Sequence, residues 1–144
     1  LGREIQVAES LGRKSMTRTL RKLQSNEADT LRAITEYLEI LQNQGKLVYI
    51  RVNPISPVNR KGKIQWRRVR PSQHGIADLI VFKRKRVEIT NTSYHNVIDI
   101  LCIEVKSKKG KLQGAQRHWA ELAIDQGCRY ITARSLDDAI KALT

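Results

Sequence analysis

Apolar residues recur at helical spacing in a segment that starts just after residue 25. Four residues form this stripe: Leu31, Ile34, Leu38 and Leu41. Steps of three and four residues are typical of a helix with one face in a protein core. Asn26 is a favourable N-cap, and Gly45 is a residue type that commonly ends a helix. The pattern therefore predicts an amphipathic helix between Asn26 and Gly45.

The rest of the chain alternates between strand-like and polar segments. Strands are predicted where β-branched and aliphatic residues concentrate, in four segments: residues 47–52, 76–82, 97–105 and 129–133. Residues 53–62 are interrupted by Pro and Gly and predict a loop, and residues 83–96 predict a hairpin connection. Further helices are predicted over 113–126 and after Ser135, which can act as an N-cap. The order predicts one mixed α/β domain over residues 26–144, preceded by a basic arm or helix over residues 1–25.

The net charge of the chain indicates which class of partner it binds. Its 27 Lys and Arg residues against 14 Asp and Glu residues give a formal net charge of +13. Such an excess favours a polyanion, because Lys and Arg neutralise phosphates and release counterions. A membrane surface is the weaker alternative, since it usually requires a basic amphipathic helix with aromatic anchors. No apolar run is long enough to span a membrane and no signal peptide is evident, so a cytoplasmic protein is expected.

A carboxylate and an amine lie two residues apart at the end of a predicted strand. Alternation places the Glu104 and Lys106 side chains on the same face of the strand that ends near Val105. Glu104 could bind a divalent metal ion, and Lys106 could orient or deprotonate a water molecule beside it. Taken alone, this very common spacing favours an ordinary surface ion pair on a strand edge. The pair becomes informative only in combination with other acidic residues.

Asp78 is the second acidic residue of interest, because it lies in an otherwise apolar segment. A buried carboxylate is costly unless something compensates its charge, and Mg²⁺ is usually held by one or two carboxylates. The alternative is a structural role in the turn that follows Gly75. Two acidic residues on adjacent strand ends, beside a lysine, favour a metal site.

Glu27 is the third acidic residue, at the start of the first predicted helix. At 100° per residue its side chain falls within roughly 40° of the apolar stripe, whereas Glu36 lies on the opposite face. Glu27 could therefore belong to the site, or it could be a solvated carboxylate favoured by the helix dipole. The sequence leaves both interpretations open.

Several short motifs, in this order, resemble the VRR-NUC group of PD-(D/E)XK nucleases. The motifs are Asn26-Glu27, Arg51-Val52-Asn53, Gly75-Ile76-Ala77-Asp78, Glu104-Val105-Lys106, Gly110-Lys111-Leu112, Gln116 and Gly127. The resemblance covers residues 26–143 and implies a restriction-endonuclease-like core, a mixed central β-sheet flanked by α-helices. It implies Mg²⁺ or Mn²⁺ at a metal site formed by Glu27, Asp78, Glu104 and Val105. It also implies catalytic roles for Lys106, Asp78 and Glu104, with Gln116 facing the site from its helix.

These residues fit phosphodiester hydrolysis, because metal ions and a lysine can activate water and stabilise developing negative charge. The expected DNA contacts are eight basic residues: Arg51, Arg67, Arg68, Arg70, Lys83, Arg84, Lys108 and Lys111. The leading hypothesis is a divalent-metal-dependent DNA endonuclease, with structure-selective cleavage as its expected form, that works alone or as a homodimer. The alternatives are a Holliday-junction resolvase, a homing or restriction-type endonuclease, and a non-catalytic nucleic-acid-binding module.

Overall fold

The fold is built on a four-stranded mixed β-sheet with helices on both faces. The computed structural model of the protein describes residues 26–52, 58–60, 63–65 and 75–144. The helices in this part of the chain are α1 (Glu27–Asn43), α2 (Gly114–Asp125) and α3 (Leu136–Leu143). The strands are β1 (Val48–Arg51), β2 (Val58–Arg60), β3 (Lys63–Gln65), β4 (Leu79–Thr90), β5 (Ser93–Val105) and β6 (Arg129–Ala133).

The strand order in the main sheet is β1-β4-β5-β6. The β1–β4 and β4–β5 pairs are antiparallel, and the β5–β6 pair is parallel, with α2 as the crossover between its two strands. Strands β2 and β3 form a separate antiparallel pair. The mixed α/β architecture predicted from the sequence is therefore confirmed. None of the helices described is long and apolar enough to cross a membrane.

Helix α1 forms as the apolar stripe predicts. The Asn26 side chain accepts a hydrogen bond from the Asp29 backbone N–H at 2.8 Å and so caps the helix. Ile34 and Leu38 are completely buried. Gly45 follows the helix with φ = 69°, a left-handed conformation that glycine adopts without the steric penalty of a Cβ atom.

The core lies on both faces of the sheet because successive strand residues point in opposite directions. Odd-numbered residues of β4 and β5, such as Val81 and Ile103, pack with Leu38 of α1 and Leu143 of α3. The even-numbered Cys102 instead packs in a smaller cluster with Ala123 of α2. Glu104 has the same parity as Cys102, so its side chain lies on the α2 face of the sheet.

Two predicted loops contain strands. The hairpin connection predicted over residues 83–96 is part of β4 and β5, which meet at a tight turn at residues 91–92. The loop predicted over residues 53–62 contains β2, and β3 follows. The sequence pattern misses the extension of β4 and β5 because charged side chains, such as those of the basic run 83–86, are compatible with a solvent-exposed strand. The second pair is only three residues long on each strand, too short for an alternating pattern to stand out.

Candidate active site

The three residues of the predicted centre converge at one end of the sheet. Asp78 directly precedes β4, Glu104 is the penultimate residue of β5, and Lys106 directly follows β5. The antiparallel pairing of Leu79 with Ile103 brings the start of β4 beside the end of β5. The two acidic residues, 26 positions apart in sequence, are therefore neighbours in space.

Asp78 is anchored by the backbone of β5. Its Oδ2 atom accepts a hydrogen bond from the Val105 N–H at 2.8 Å. Burial raises the pKa of the Asp78 carboxyl group above its ordinary value, and the charge of Glu27 raises it further. The Val105 hydrogen bond and the positive charge of Lys106 oppose this rise without cancelling it. Asp78 is thus a fixed carboxylate whose negative charge is incompletely compensated.

Glu104 is almost completely buried, with 2% of its surface exposed. Its Oε1 atom accepts hydrogen bonds from Lys106 Nζ, at 2.9 Å, and from Gln116 Nε2. Its Oε2 atom is buried and has no hydrogen-bond partner among the described residues. Burial, followed by the charges of Asp78 and Glu27, raises the pKa of Glu104, although the hydrogen bond from Lys106 lowers it. One oxygen of this carboxylate is therefore fixed by protein donors, and the other has none in the described part of the chain.

Gln116 is positioned by the first turn of α2. The Gln113 N–H donates to Gln116 Oε1 at 2.9 Å, as part of a capping box, which leaves the Gln116 amide nitrogen to donate to Glu104. The backbone of this turn also approaches Gly75 closely: a Cβ atom at Gly75 would lie 2.2 Å from the Ala115 carbonyl oxygen. The helix start is thus packed directly against the segment that leads into Asp78.

Glu27 is close enough for its charge to act on both Asp78 and Glu104. It is exposed, at the first position of α1, and its charge contributes to the raised pKa of both Asp78 and Glu104. Within residues 26–52 and 75–144 and the two short strands, no group of three or more His, Cys, Asp and Glu side chains is arranged to hold a metal ion. The structure therefore brings two of the expected metal-binding carboxylates together and leaves the third at the rim.

Val105 is one of the residues of the expected metal site, but the Val105 side chain faces away from that site. The side chain is fully buried in the core cluster on the α1 and α3 face. Its backbone N–H is occupied by Asp78. Only the carbonyl oxygen of Val105 could therefore act as a ligand.

The basic residues expected to contact DNA lie at different distances from the acidic centre. Arg51 is exposed at the end of β1, and its charge lowers the pKa of Asp78, which places it near the site. Lys108 and Lys111 are exposed on the loop after Lys106. The remaining expected contacts lie elsewhere or outside the described residues: Lys83 and Arg84 in the hairpin, and Arg67, Arg68 and Arg70.

The loop that carries the exposed lysines is tied to the end of β6. The Arg134 guanidinium donates hydrogen bonds to the backbone carbonyls of Ser107 and Lys108. Lys83, by contrast, donates its ammonium hydrogen to the Leu143 carbonyl at the end of α3. Its charge is therefore engaged within the protein and is less accessible to DNA than that of Arg84, which is exposed.

Tyr130 is a neighbour of the site that no sequence pattern indicates. Its hydroxyl group is buried without a hydrogen-bond partner among the described residues. Its pKa is raised by burial and then by the negative charges of Glu104 and Asp78. Tyr130 pairs with Cys102 in the parallel β5–β6 register, so it lies on the same face of the sheet as Glu104. Because that register is a tertiary feature, no local signal in residues 129–133 could have linked Tyr130 to the site.

The raised pKa of Asp78 leads to a prediction about stability. The folded state binds the Asp78 proton more strongly than the unfolded state, whose carboxyl group titrates near 3.8. The folded protein therefore loses stability as pH rises through the ordinary and then the raised pKa. Asp78→Asn removes this cost, so we expect the metal-free variant to melt a few degrees above wild type at neutral pH. Thermal unfolding followed by circular dichroism in EDTA, at neutral and acidic pH, measures the difference.

Asp99→Asn is the control for this measurement, because it should change the melting temperature in the opposite direction. The Asp99 carboxylate forms an ion pair with Arg129, and this interaction lowers its pKa. Its contribution to stability is present above the ordinary pKa and is lost as pH falls. This variant should therefore melt below wild type at neutral pH. A lower melting temperature for Asp78→Asn as well would contradict the assignment of an incompletely compensated, partly buried charge to Asp78.

Comparison with known proteins identifies one family. The family model described as the VRR-NUC domain matches residues 25–137 of the chain. This match spans the first helix, both acidic residues, Lys106 and Gln116. A search of curated proteins and a search of solved structures gave no significant match.

Proposed function

The chain belongs to the VRR-NUC family and so carries a nuclease domain of the PD-(D/E)XK superfamily; from this premise we propose that it is a divalent-metal-dependent endonuclease that hydrolyses DNA phosphodiester bonds. The observation that carries the proposal is the buried Oε2 atom of Glu104, which has no hydrogen-bond partner in the described part of the chain. A buried carboxylate oxygen beside a second partly buried carboxylate is costly unless a cation compensates both.

The residues present fit a hard divalent cation. Mg²⁺ and Mn²⁺ prefer oxygen ligands and are commonly held by one or two carboxylates, with water and phosphate oxygens completing the coordination. Asp78 and Glu104 would supply the carboxylates, and the Val105 carbonyl a third oxygen. Glu27, at the rim, would act by its charge or through water. When bound, the metal ion would polarise the scissile phosphate and lower the pKa of a water molecule.

Lys106 has two roles in the proposed mechanism. Its ammonium group, together with the Gln116 amide, fixes the Glu104 Oε1 atom and thereby orients Oε2. It also places a positive charge where a pentacoordinate phosphorus would carry excess negative charge in the transition state. With 13% of its side chain exposed, Lys106 remains accessible to a substrate phosphate.

The substrate backbone would approach over the exposed cations around the site. Arg51 ends β1 beside the start of β4, Lys108 and Lys111 lie on the loop after β5, and all three are exposed. They would bind flanking phosphates largely without regard to base sequence, because phosphate contacts carry no direct sequence information. Arg67, Arg68 and Arg70 remain predicted contacts outside the described residues. This arrangement favours recognition of a DNA structure over recognition of a base sequence.

Cleavage of a substrate panel tests the proposal. The panel contains a linear duplex, a single strand, a flap and a four-way junction, each incubated with Mg²⁺, Mn²⁺ or EDTA. We expect metal-dependent cutting that Asp78→Asn and Glu104→Gln abolish. A preference for four-way junctions, cut symmetrically, would favour a resolvase acting as a homodimer. Defined sites in linear duplex would favour a restriction or homing enzyme.

Metal binding can be measured without catalysis. We expect Mn²⁺ to raise the melting temperature of the wild-type protein and to have little effect on Asp78→Asn, because ligand binding to the native state alone stabilises it. Asp99→Asn, whose carboxylate lies on the opposite face of the sheet, should keep the wild-type response. Salt-sensitive DNA binding without a metal response or cleavage would contradict the nuclease proposal and leave a nucleic-acid-binding module.

A further inference from the structure

The outer part of the β4–β5 hairpin extends beyond the rest of the sheet. Strand β1 pairs only with residues 79–82 of β4, and β6 pairs only with residues 101–105 of β5. Residues 84–98, named here the ribbon, therefore form a two-stranded segment that has no third strand from the described part of the chain beside it. Nearly all of its residues are exposed. Unsupported two-stranded ribbons are marginally stable by themselves, so a segment of this length favours a binding role.

One face of the ribbon continues the face of the sheet that carries the candidate active site. Arg84 pairs with Ile98, and Arg86 pairs with Asn96. No register shift interrupts β5 between Tyr94 and Glu104. By alternation, Arg84 and Arg86 therefore share the face of Glu104, while Lys85 lies on the opposite face.

The two arginines are placed as anion-binding groups. Lys83 is held by the Leu143 carbonyl, and Asp99 is paired with Arg129, so both charges at the base of the ribbon are engaged. The Arg86 guanidinium lies over the Tyr94 ring, 3.9 Å from its centroid, which restricts its motion while leaving its N–H edges to donate. Within the described residues, neither Arg84 nor Arg86 forms a salt bridge.

We propose that the Arg84–Arg86 face of the ribbon is a second contact for duplex DNA, remote from the cleaved bond; this inference rests on the proposed nuclease function. Arg84 and Arg86 follow Asp78 by six and eight residues, or roughly 20–27 Å along an extended strand. That distance corresponds to about six to eight base pairs. The substrate therefore requires a duplex arm of about this length on one side of the cut.

Charge favours DNA over a second copy of the chain as the occupant of this face. Antiparallel pairing of two ribbons would bring the arginines of both copies together, and like charges in close contact are unfavourable. A phosphate backbone instead complements both guanidinium groups. A two-stranded ribbon also matches the width of the DNA major groove.

The first test measures binding in EDTA, where no cutting occurs. A labelled duplex of about 20 base pairs is titrated at several salt concentrations with wild type and three single variants. We expect Arg84→Ala and Arg86→Ala each to weaken binding about three- to tenfold. Each should also reduce the slope of log K against log salt concentration by about one released ion. Lys85→Ala removes the same charge from the opposite face and should change affinity less than about twofold.

The second test uses cleavage of substrates whose duplex arm is shortened. With wild type, trimming the arm below about six base pairs should raise KM and leave kcat nearly unchanged. The Arg84→Ala/Arg86→Ala variant should show the raised KM on every arm length. Its melting temperature should stay close to that of wild type, because both side chains are exposed and the lost Arg86–Tyr94 contact is weak at an exposed site.

These experiments separate the ribbon from the active site. Equal losses for Lys85→Ala and Arg84→Ala would overturn the proposal, since only net charge would then matter. If the arginine variants differed from wild type in sedimentation but not in DNA binding, the proposal would be overturned in favour of a second copy of the chain as the occupant. Loss of binding in the arginine variants of a protein that never cuts would support the ribbon contact and reject the nuclease. Wild-type binding by those variants of a protein that does cut would reject the ribbon contact alone.

Discussion

Lys106→Met is expected to reduce the rate of DNA cleavage by about a hundredfold to a thousandfold, the usual effect of removing one group that stabilises transition-state charge. The substitution removes the ammonium group that contacts Glu104 Oε1 at 2.9 Å and preserves most of the aliphatic stem. Affinity for uncut duplex in EDTA should change little, because a single partly buried lysine adds little to a surface of net charge +13. Single-turnover cleavage with saturating enzyme isolates the chemical step.

Lys109→Met is the matched control for this loss. Lys109 is exposed on the same loop and carries the same charge, but it makes no ion pair among the described residues. It should cleave at nearly the wild-type rate. Similar rates for the two variants would mean that Lys106 acts only through net charge, which would contradict its proposed place at the reacting phosphate.

Gly75→Ala is expected to have the second-largest effect, on both stability and cleavage. Gly75 has φ = 80°, which is unfavourable for alanine. An alanine Cβ would also lie 2.2 Å from the Ala115 carbonyl oxygen and 2.7 Å from the Gln116 backbone nitrogen. Backbone atoms cannot rotate away, so the start of α2 must move and draw Gln116 from Glu104. We expect a loss of about 2–5 kcal/mol in the free energy of unfolding, from backbone strain and overpacking together.

Gly45→Ala separates strain from steric clash. Gly45 has φ = 69°, but a Cβ atom there would meet nothing within 4 Å. The Gly45→Ala variant should therefore lose only the free energy of unfolding that the left-handed conformation costs an alanine, about 1–2 kcal/mol. Its cleavage should be unchanged. Urea denaturation gives both stabilities, and cleavage is measured well below the melting temperatures. If Gly75→Ala were no worse than Gly45→Ala, the proposed packing of α2 against the Asp78 segment would be wrong.

The sequence predicted most of the elements because their signals are local. The apolar stripe of α1 and its Asn26 cap require only neighbouring residues, and both are confirmed. The same holds for the strand at residues 129–133 and for the Ser135 cap, whose side chain accepts from the Asp138 N–H at 3.3 Å. Periodicity and capping depend on residues within one or two turns, so one sequence is enough to recognise them.

The ribbon shows where local signals fail. The basic run and the polar residues after it predicted a connection, because an exposed strand needs no alternating apolar pattern. Thirteen residues of β5 nevertheless pair with β4 along nearly their whole length. Only the pairing itself, which joins residues far apart in sequence, extends both strands beyond the core.

The candidate site likewise combines features that the sequence determines with features that only the tertiary structure determines. The sequence by itself determined which residue types were available: the two acidic residues in apolar segments, the lysine two positions after Glu104, and the motif order that indicated the family. Tertiary structure alone decided that Asp78 accepts from the Val105 N–H, that Glu104 Oε2 has no donor among the residues described, and that Glu27 stays at the rim. The physical reason is that burial and hydrogen bonding at this site depend on the register of β4 against β5 and on the packing of α2 against Gly75. Neither is encoded within any single segment of the chain.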